Sequence, residues 1–185
     1  MNTMLVAVTV AMLAGFAALG GEVRYVATDG NDSDSGSGEA PFATVARAVE
    51  SLGDAGGIVY VADGTYALDA TIEVSTPVKI VGESADPTKV VFDGGKARRV
   101  CKLSHDDAGL RYVTLKDGYL SDADAANGAN LYLTKGMVED CILRDGNTKS
   151  WGNAGGNAYV GGGRLSRCRL YGGKAGGGSH DINEW

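Results

Sequence analysis

Two tyrosines, a tryptophan and a pair of acids are the side chains of this sequence best suited to chemistry. Tyr132 lies in Asn130-Leu-Tyr-Leu133 and Tyr159 in Asn157-Ala-Tyr-Val160, 27 residues apart in matching contexts. If both tetrapeptides are strands, alternation sends Leu131, Leu133, Ala158 and Val160 inward and both tyrosines outward, one above the other. The segments leading into them, 118–129 and 146–156, carry Asp122 and Asp124 in the first and Trp151 in the second. Aromatic rings pack on the C–H faces of sugars, and carboxylates accept hydrogen bonds from hydroxyls. Tyr132, Tyr159, Trp151, Asp122 and Asp124 are therefore a candidate glycan-binding set. The competing reading is an aromatic ladder that only stabilises a sheet, worth about 0.2–1 kcal/mol per pair.

Other motifs resolve to structural roles. The Asp-Gly pairs at Asp93-Gly94, Asp117-Gly118 and Asp145-Gly146 recur at steps of 24 and 28. A carboxylate ladder of that kind can hold calcium, but Asp-Gly is also good turn chemistry, with Asp bonding local backbone and Gly taking positive φ. The turn reading is preferred. Asp29-Gly-Asn-Asp-Ser-Asp-Ser-Gly36 resembles a calcium loop at first sight. It lacks glycine at its sixth position and has Ala40 at the twelfth, so it reads as a solvated loop with caps. No cofactor is assigned, and calcium has no specific motif behind it. His105 and His180 both sit in Ser-His-Asp, 75 residues apart and out of phase with the repeat, and are read as surface residues. No nucleophile elbow, Cys-x-x-Cys pair or phosphate loop occurs.

The elements that must position these residues come from a period. Leu110-Arg-Tyr-Val113-Thr-Leu115, Val138-Glu-Asp-Cys141-Ile-Leu143 and Leu165-Ser-Arg-Cys168-Arg-Leu170 superpose at steps of 28 and 27. Three apolar columns result: Leu110/Val138/Leu165, Val113/Cys141/Cys168 and Leu115/Leu143/Leu170. A fixed period in this range means stacked repeats, each too small to bury its own apolar side. Three short strands and three corners per repeat describe a triangular solenoid with parallel sheets. Cys141 and Cys168 fall on adjacent rungs, about 4.8 Å apart. They read as two buried thiols in preference to a disulfide, whose Cβ atoms prefer about 3.8 Å.

Upstream, residues 22–38 read as a short strand followed by a polar loop. Pro41–Leu52 reads as one amphipathic helix, with Phe42, Val45, Ala46, Val49 and Leu52 at helical spacing. A helix before a β-solenoid suits a lid over the first coil, whose apolar end and strand edges would otherwise face water. Strands are expected at Ile58–Val61, Thr71–Val74, Val78–Val81, Val90–Phe92 and Val100–Leu103.

Tyr25-Val-Ala-x-x-Gly30-x-Asp32, Pro41-Phe-Ala-Thr44, Ala48-Val49 and Val61-Ala-Asp-Gly-Thr-Tyr66, in that order, resemble the N-terminal cap of secreted bacterial proteins of the pectin-lyase-like superfamily. The resemblance implies an all-β, right-handed parallel β-helix with an N-terminal capping helix. It also implies a groove along the first strand of each coil, here Asn130–Leu133 and Asn157–Val160. The superfamily contains polysaccharide lyases, glycoside hydrolases, epimerases and adhesins, so the resemblance leaves activity open. A lyase would need an outward Arg or Lys base with calcium-holding carboxylates. On the two groove strands only tyrosines and asparagines are expected to face outward, with Lys135 and Arg164 just beyond. Lys116 and Arg144 stack on another strand. Asp122 and Asp124 do not define the separation an inverting glycosidase requires.

Composition agrees. The chain has 185 residues, net charge −6, 29 Gly and three Cys, which disfavours nucleic acid and anionic lipid as partners. Residues 1–20 are uncharged and apolar and end in small residues, as in a signal peptide, although an N-terminal basic residue is missing. No later segment is apolar enough to span a bilayer. The expectation is a signal peptide over 1–20 and a β-helix domain over 22–185, with a cap at 22–57 and coils at 58–185. The last coil is expected to stack on further sequence or on a partner. The chain is then a secreted or cell-surface scaffold associated with extracellular polysaccharide, not catalytic by itself. The alternative is a non-catalytic adhesin or passenger, which the Gly-rich coil ends also suit.

Overall fold

The computed structural model describes residues 21–121, 127–149 and 155–176. The chain opens with strand β1 (Glu22–Val26), followed by helix α1 (Val45–Leu52) and one 3-10 turn (Gly53–Ala55). The helix is shorter than its apolar pattern suggests. Pro41 and Phe42 stay extended, and Thr44 is the N-cap, its hydroxyl accepting the Arg47 N–H at 3.2 Å. The polar loop supplies the rest of the cap. One Asp32 oxygen accepts the Ala43 and Thr44 N–H groups, both at 2.9 Å, and the other accepts the Thr44 hydroxyl at 2.8 Å. Asp32 thus ties down the backbone ahead of the helix. Val45, Ala48 and Leu52 are buried, and the helix packs on β1 and the first coil.

The coils follow as β2 (Gly57–Val61), β3 (Gly64–Ala67), β4 (Ile72–Val74), β5 (Val78–Gly82), β6 (Val90–Asp93), β7 (Cys101–Leu103), β8 (Gly109–Arg111) and β9 (Thr114–Lys116). Then come β10 (Tyr119–Leu120), β11 (Leu131–Leu133), β12 (Met137–Glu139), β13 (Ile142–Arg144), β14 (Asn147–Thr148), β15 (Ala158–Val160), β16 (Arg164–Ser166) and β17 (Arg169–Tyr171). Among the described residues every strand pairing is parallel. The first sheet has the order β1-β2-β5-β8-β12-β16, the second β17-β13-β9-β6-β3, and the third β15-β11-β7-β4. The chain visits the three sheets in turn and climbs one rung per circuit. It is a right-handed parallel β-helix, the architecture implied by the pectin-lyase-like resemblance, with, among the described residues, one short α-helix before the coils.

The sequence columns are columns in space. Leu110, Val138 and Leu165 are register partners in the first sheet, and Leu115, Leu143 and Leu170 in the second. Val59 and Ile80 extend the first column downward, and Phe92 extends the second. Most of these side chains are fully buried, so each rung roofs the one below. Two details differ from expectation. Gly64–Ala67 is a strand where none was expected: Tyr66 closes the core there while Thr65 and Ala67 face out. A small sheet, β10-β14, adds a fourth side to the later coils.

The corners also repeat. Ala85, Tyr112, Asp140 and Arg167 all have φ between 52° and 58°, one per rung at a single corner. In the Asp117-Gly118 and Asp145-Gly146 corners it is the aspartate that takes positive φ, at 52° and 59°. The glycines serve another purpose: a Cβ on Gly118 would strike the Ala129 carbonyl, and one on Gly146 the Gly156 carbonyl.

Candidate functional site

The third sheet presents a single outward column. Its register aligns Glu73, Lys102, Tyr132 and Tyr159, one per rung. Their strand neighbours Ile72, Val74, Cys101, Leu103, Leu131 and Leu133 are buried, so the alternation expected of the Tyr132 strand holds; in the Tyr159 strand, on the last rung, Ala158 is half-buried and Val160 exposed, against the burial expected of both. Rungs of a parallel sheet are about 4.8 Å apart, and the column therefore offers one polar tip per rung: a carboxylate, an ammonium and two phenols.

The two tyrosines stack, with ring centroids 5.1 Å apart and planes 12° from parallel. The Arg99 guanidinium lies 5.1 Å from the Tyr132 centroid. Arg99 is held there by donating to the Gly128 carbonyl (3.0 Å) and the Asn127 carbonyl (3.1 Å). It precedes β7, one rung below Tyr132, whereas Tyr159 is one rung above. Tyr132 is thus sandwiched, and its contribution to the surface is a ring edge and a hydroxyl. Among the described residues no aromatic ring or cation stacks on the other face of Tyr159. Lys102 and Glu73 form a loose pair at 3.8 Å, with 36% and 62% of their side chains exposed. Such a surface pair contributes little, leaving both groups free to engage a ligand.

What fixes the tyrosine strands lies beneath them. Asn130 is fully buried and Asn157 nearly so. Asn130 Oδ1 accepts the Gly118 N–H at 2.7 Å, and its Nδ2 donates to the Arg144 carbonyl at 2.8 Å and to Asn157 Oδ1 at 2.9 Å. Asn157 repeats the pattern one rung up, with the Gly146 N–H at 3.0 Å and the Tyr171 carbonyl at 2.8 Å. The two amides satisfy backbone groups that the corner would otherwise bury unpaired. They fix where Leu131 and Ala158 begin, and hence where each tyrosine projects.

Of the five residues singled out in the sequence, the structure brings Tyr132 and Tyr159 together. Trp151, Asp122 and Asp124 lie outside the described residues. The column adds Glu73, Lys102 and Arg99, none of which the sequence reading placed here. Their spacing hid them: Glu73, Lys102, Tyr132 and Tyr159 are separated by 29, 30 and 27 residues, because the corner segments differ in length. The available signal was the Val100–Leu103 strand itself, in which alternation turns Lys102 outward. His105 accepts the Asp107 N–H through Nδ1 at 3.1 Å in a local turn.

Charge elsewhere is structural. Lys116 bridges Asp93 (2.6 Å) and Asp117 (3.2 Å) on the second sheet, and the Asp93 hydrogen bond raises the pKa of this lysine. Asp140 sits between Arg167 and Arg111, at 2.7 Å and 2.9 Å, and these guanidinium groups hold its carboxyl below the usual range. Glu83 is raised, first by burial and then by Asp63. A cleft of about 360 Å³ between the first turn of α1 and the β3–β4 corner is lined by exposed Thr44, Ala46, Thr65 and Asp69 and by buried Val45, Tyr66 and Ile72, two rungs below Tyr132. Among the described residues no helix is long and apolar enough to cross a membrane.

Residues 28–94 match the model of a family described as "Protein of unknown function (DUF1565)". That stretch covers the cap and the first coils and ends before the tyrosines. A solved structure described as "Rhamnogalacturonan lyase" is similar at 14% sequence identity and a TM-score of 0.47, over 82% of this chain and 52% of that one. The chain thus spans about half the length of that lyase chain. No curated protein matches.

Proposed function

We propose that this β-helix is a polysaccharide-binding scaffold whose contact surface is the outward column Glu73–Lys102–Tyr132–Tyr159, and that it is exported by way of residues 1–20. The observation carrying this reading is the column itself, a straight row of hydrogen-bonding tips backed by a rigid sheet. A chain of sugar hydroxyls laid along the solenoid axis meets one protein partner per rung. Tyr159 supplies the ring face for a pyranose, and Tyr132 supplies its hydroxyl and edge, with Arg99 bracing the stack from below. Binding, not bond cleavage, is the role assigned to these residues. Asp122, Asp124 and Trp151, on the segments that lead into the two tyrosine strands, are proposed to complete the surface.

A glycan array probed with wild type, Tyr159→Ala and Tyr132→Ala tests the proposal. One aromatic contact is worth about 0.5–1.5 kcal/mol, so Tyr159→Ala weakens the wild-type hits by roughly twofold to twelvefold. Tyr132→Ala also lowers them, because Tyr159 loses its support. Equal signals for all three proteins would leave only the stabilising aromatic ladder. The adhesin reading predicts hits on peptides or host glycoproteins that ignore both substitutions.

A further inference from the structure

The geometry points to Cys141 and Cys168 as a redox-sensitive pair that closes into a disulfide stapling the two coils that carry Tyr132 and Tyr159. In this structure both are free thiols. Register on either side is unbroken: Val138 and Glu139 align with Leu165 and Ser166, and Ile142 and Leu143 with Arg169 and Leu170. Cys141 therefore lies directly beneath Cys168. The thiols also point the same way. Cys141 Sγ donates to the Glu139 carbonyl at 3.1 Å, and Cys168 Sγ to the equivalent Ser166 carbonyl at 3.2 Å.

Stacked rungs hold such Cα atoms about 4.8 Å apart, inside the range of about 4.4–6.8 Å found across disulfides. The Cβ atoms need to approach by less than about 1 Å. Both cysteines lie just after a bend and outside the strands themselves, and the Arg169 N–H bonds the Cys141 carbonyl at 3.0 Å, which holds the two rungs in register beside them. Cys141 is buried and Cys168 half-buried, so an external reagent reaches Cys168 first. Burial pushes the Cys141 thiol up, whereas the neighbouring Cys141 thiol holds that of Cys168 below the ordinary range. Cys101 has no equivalent partner. It faces the core from the third sheet, its pKa pushed up to about 12 by burial.

The step balances with a small-molecule disulfide as oxidant. The Cys168 thiolate attacks oxidised glutathione, forming a mixed disulfide and releasing one reduced glutathione. The Cys141 thiol then gives up its proton and attacks Cys168 Sγ, releasing the second. Two protein S–H bonds become one S–S bond, and the oxidant is reduced to two thiols.

The test is incubation of the full chain with excess oxidised glutathione, followed by intact-mass measurement and peptide mapping. The expected product has lost two hydrogens, carries a Cys141–Cys168 linked peptide, and unfolds several degrees higher than the reduced protein. Cys101→Ser behaves identically. Cys141→Ser stops at glutathione bound to Cys168. A stable glutathione adduct on wild type, a link involving Cys101, or no reaction of the native protein would each overturn the inference. Because the readouts are mass and melting, the result is independent of whether the tyrosine column binds sugar.

Discussion

Single residues set the chemistry of the outward column. Tyr132 has lost its ring faces to Arg99 and Tyr159, so its hydroxyl is the group it offers. Tyr132→Phe therefore keeps the fold and the stack but lowers glycan affinity, read by titration against the strongest array hit. Asn130 is a different case, since its amide pairs buried backbone on two rungs. Asn130→Ala costs about 1–3 kcal/mol by leaving those groups unpaired, which a urea melt would register as a lower midpoint. Asp140 carries a pH signature. Its folded pKa lies below its ordinary value of 3.8, first through Arg167 and then Arg111. The pair is fully stabilising above that ordinary value, and its contribution is lost as pH falls through the lower folded value. Acidification below about pH 4 should thus destabilise the wild type more than Asp140→Asn, measured as the difference in urea midpoints. Residues of this kind were partly legible in the sequence. The tyrosines repeat at the coil period and alternate with apolar neighbours, whereas Arg99 reaches its ring from an irregular corner that no periodicity marks.

At the scale of elements, the cap shows how local rules compete. The apolar stripe of 42–52 reads as a continuous helix, yet the helix starts at Val45 because Asp32 draws the Ala43 and Thr44 N–H groups into the preceding loop. Phe42 is buried from an extended segment instead. Thr44→Ala should cost about 1 kcal/mol, and Asp32→Ala more, because it frees three donors. Circular dichroism melts of the two variants rank the effects. Strand β3 escaped notice because only Tyr66 of its four residues points inward, too short an alternation to stand out. The third-sheet strands were legible for the opposite reason, as Leu-Tyr-Leu and Ala-Tyr-Val repeat at one interval.

The whole molecule is a stack in which each coil buries the one beneath. That is why the columns were readable without coordinates: every rung must place an apolar side chain at the same three inward points. Leu143 is fully buried between Leu115 and Leu170. Leu143→Asp places an unpaired charge there, at a cost comparable to the roughly 5–15 kcal/mol that holds a domain folded. The variant should fail to fold, seen as loss of the cooperative melt. Corner length was not legible, since each coil tolerates a different insertion, and that variation concealed the alignment of Glu73 and Lys102 with the tyrosines. The most direct test of the account is a co-crystal structure with the best oligosaccharide from the array. The account predicts sugar density along the outer face of the third sheet, a pyranose on the face of Tyr159 turned away from Tyr132 and hydroxyls bonded to Tyr132 and Lys102. Sugar bound on another face, with both phenols left in water, would contradict it.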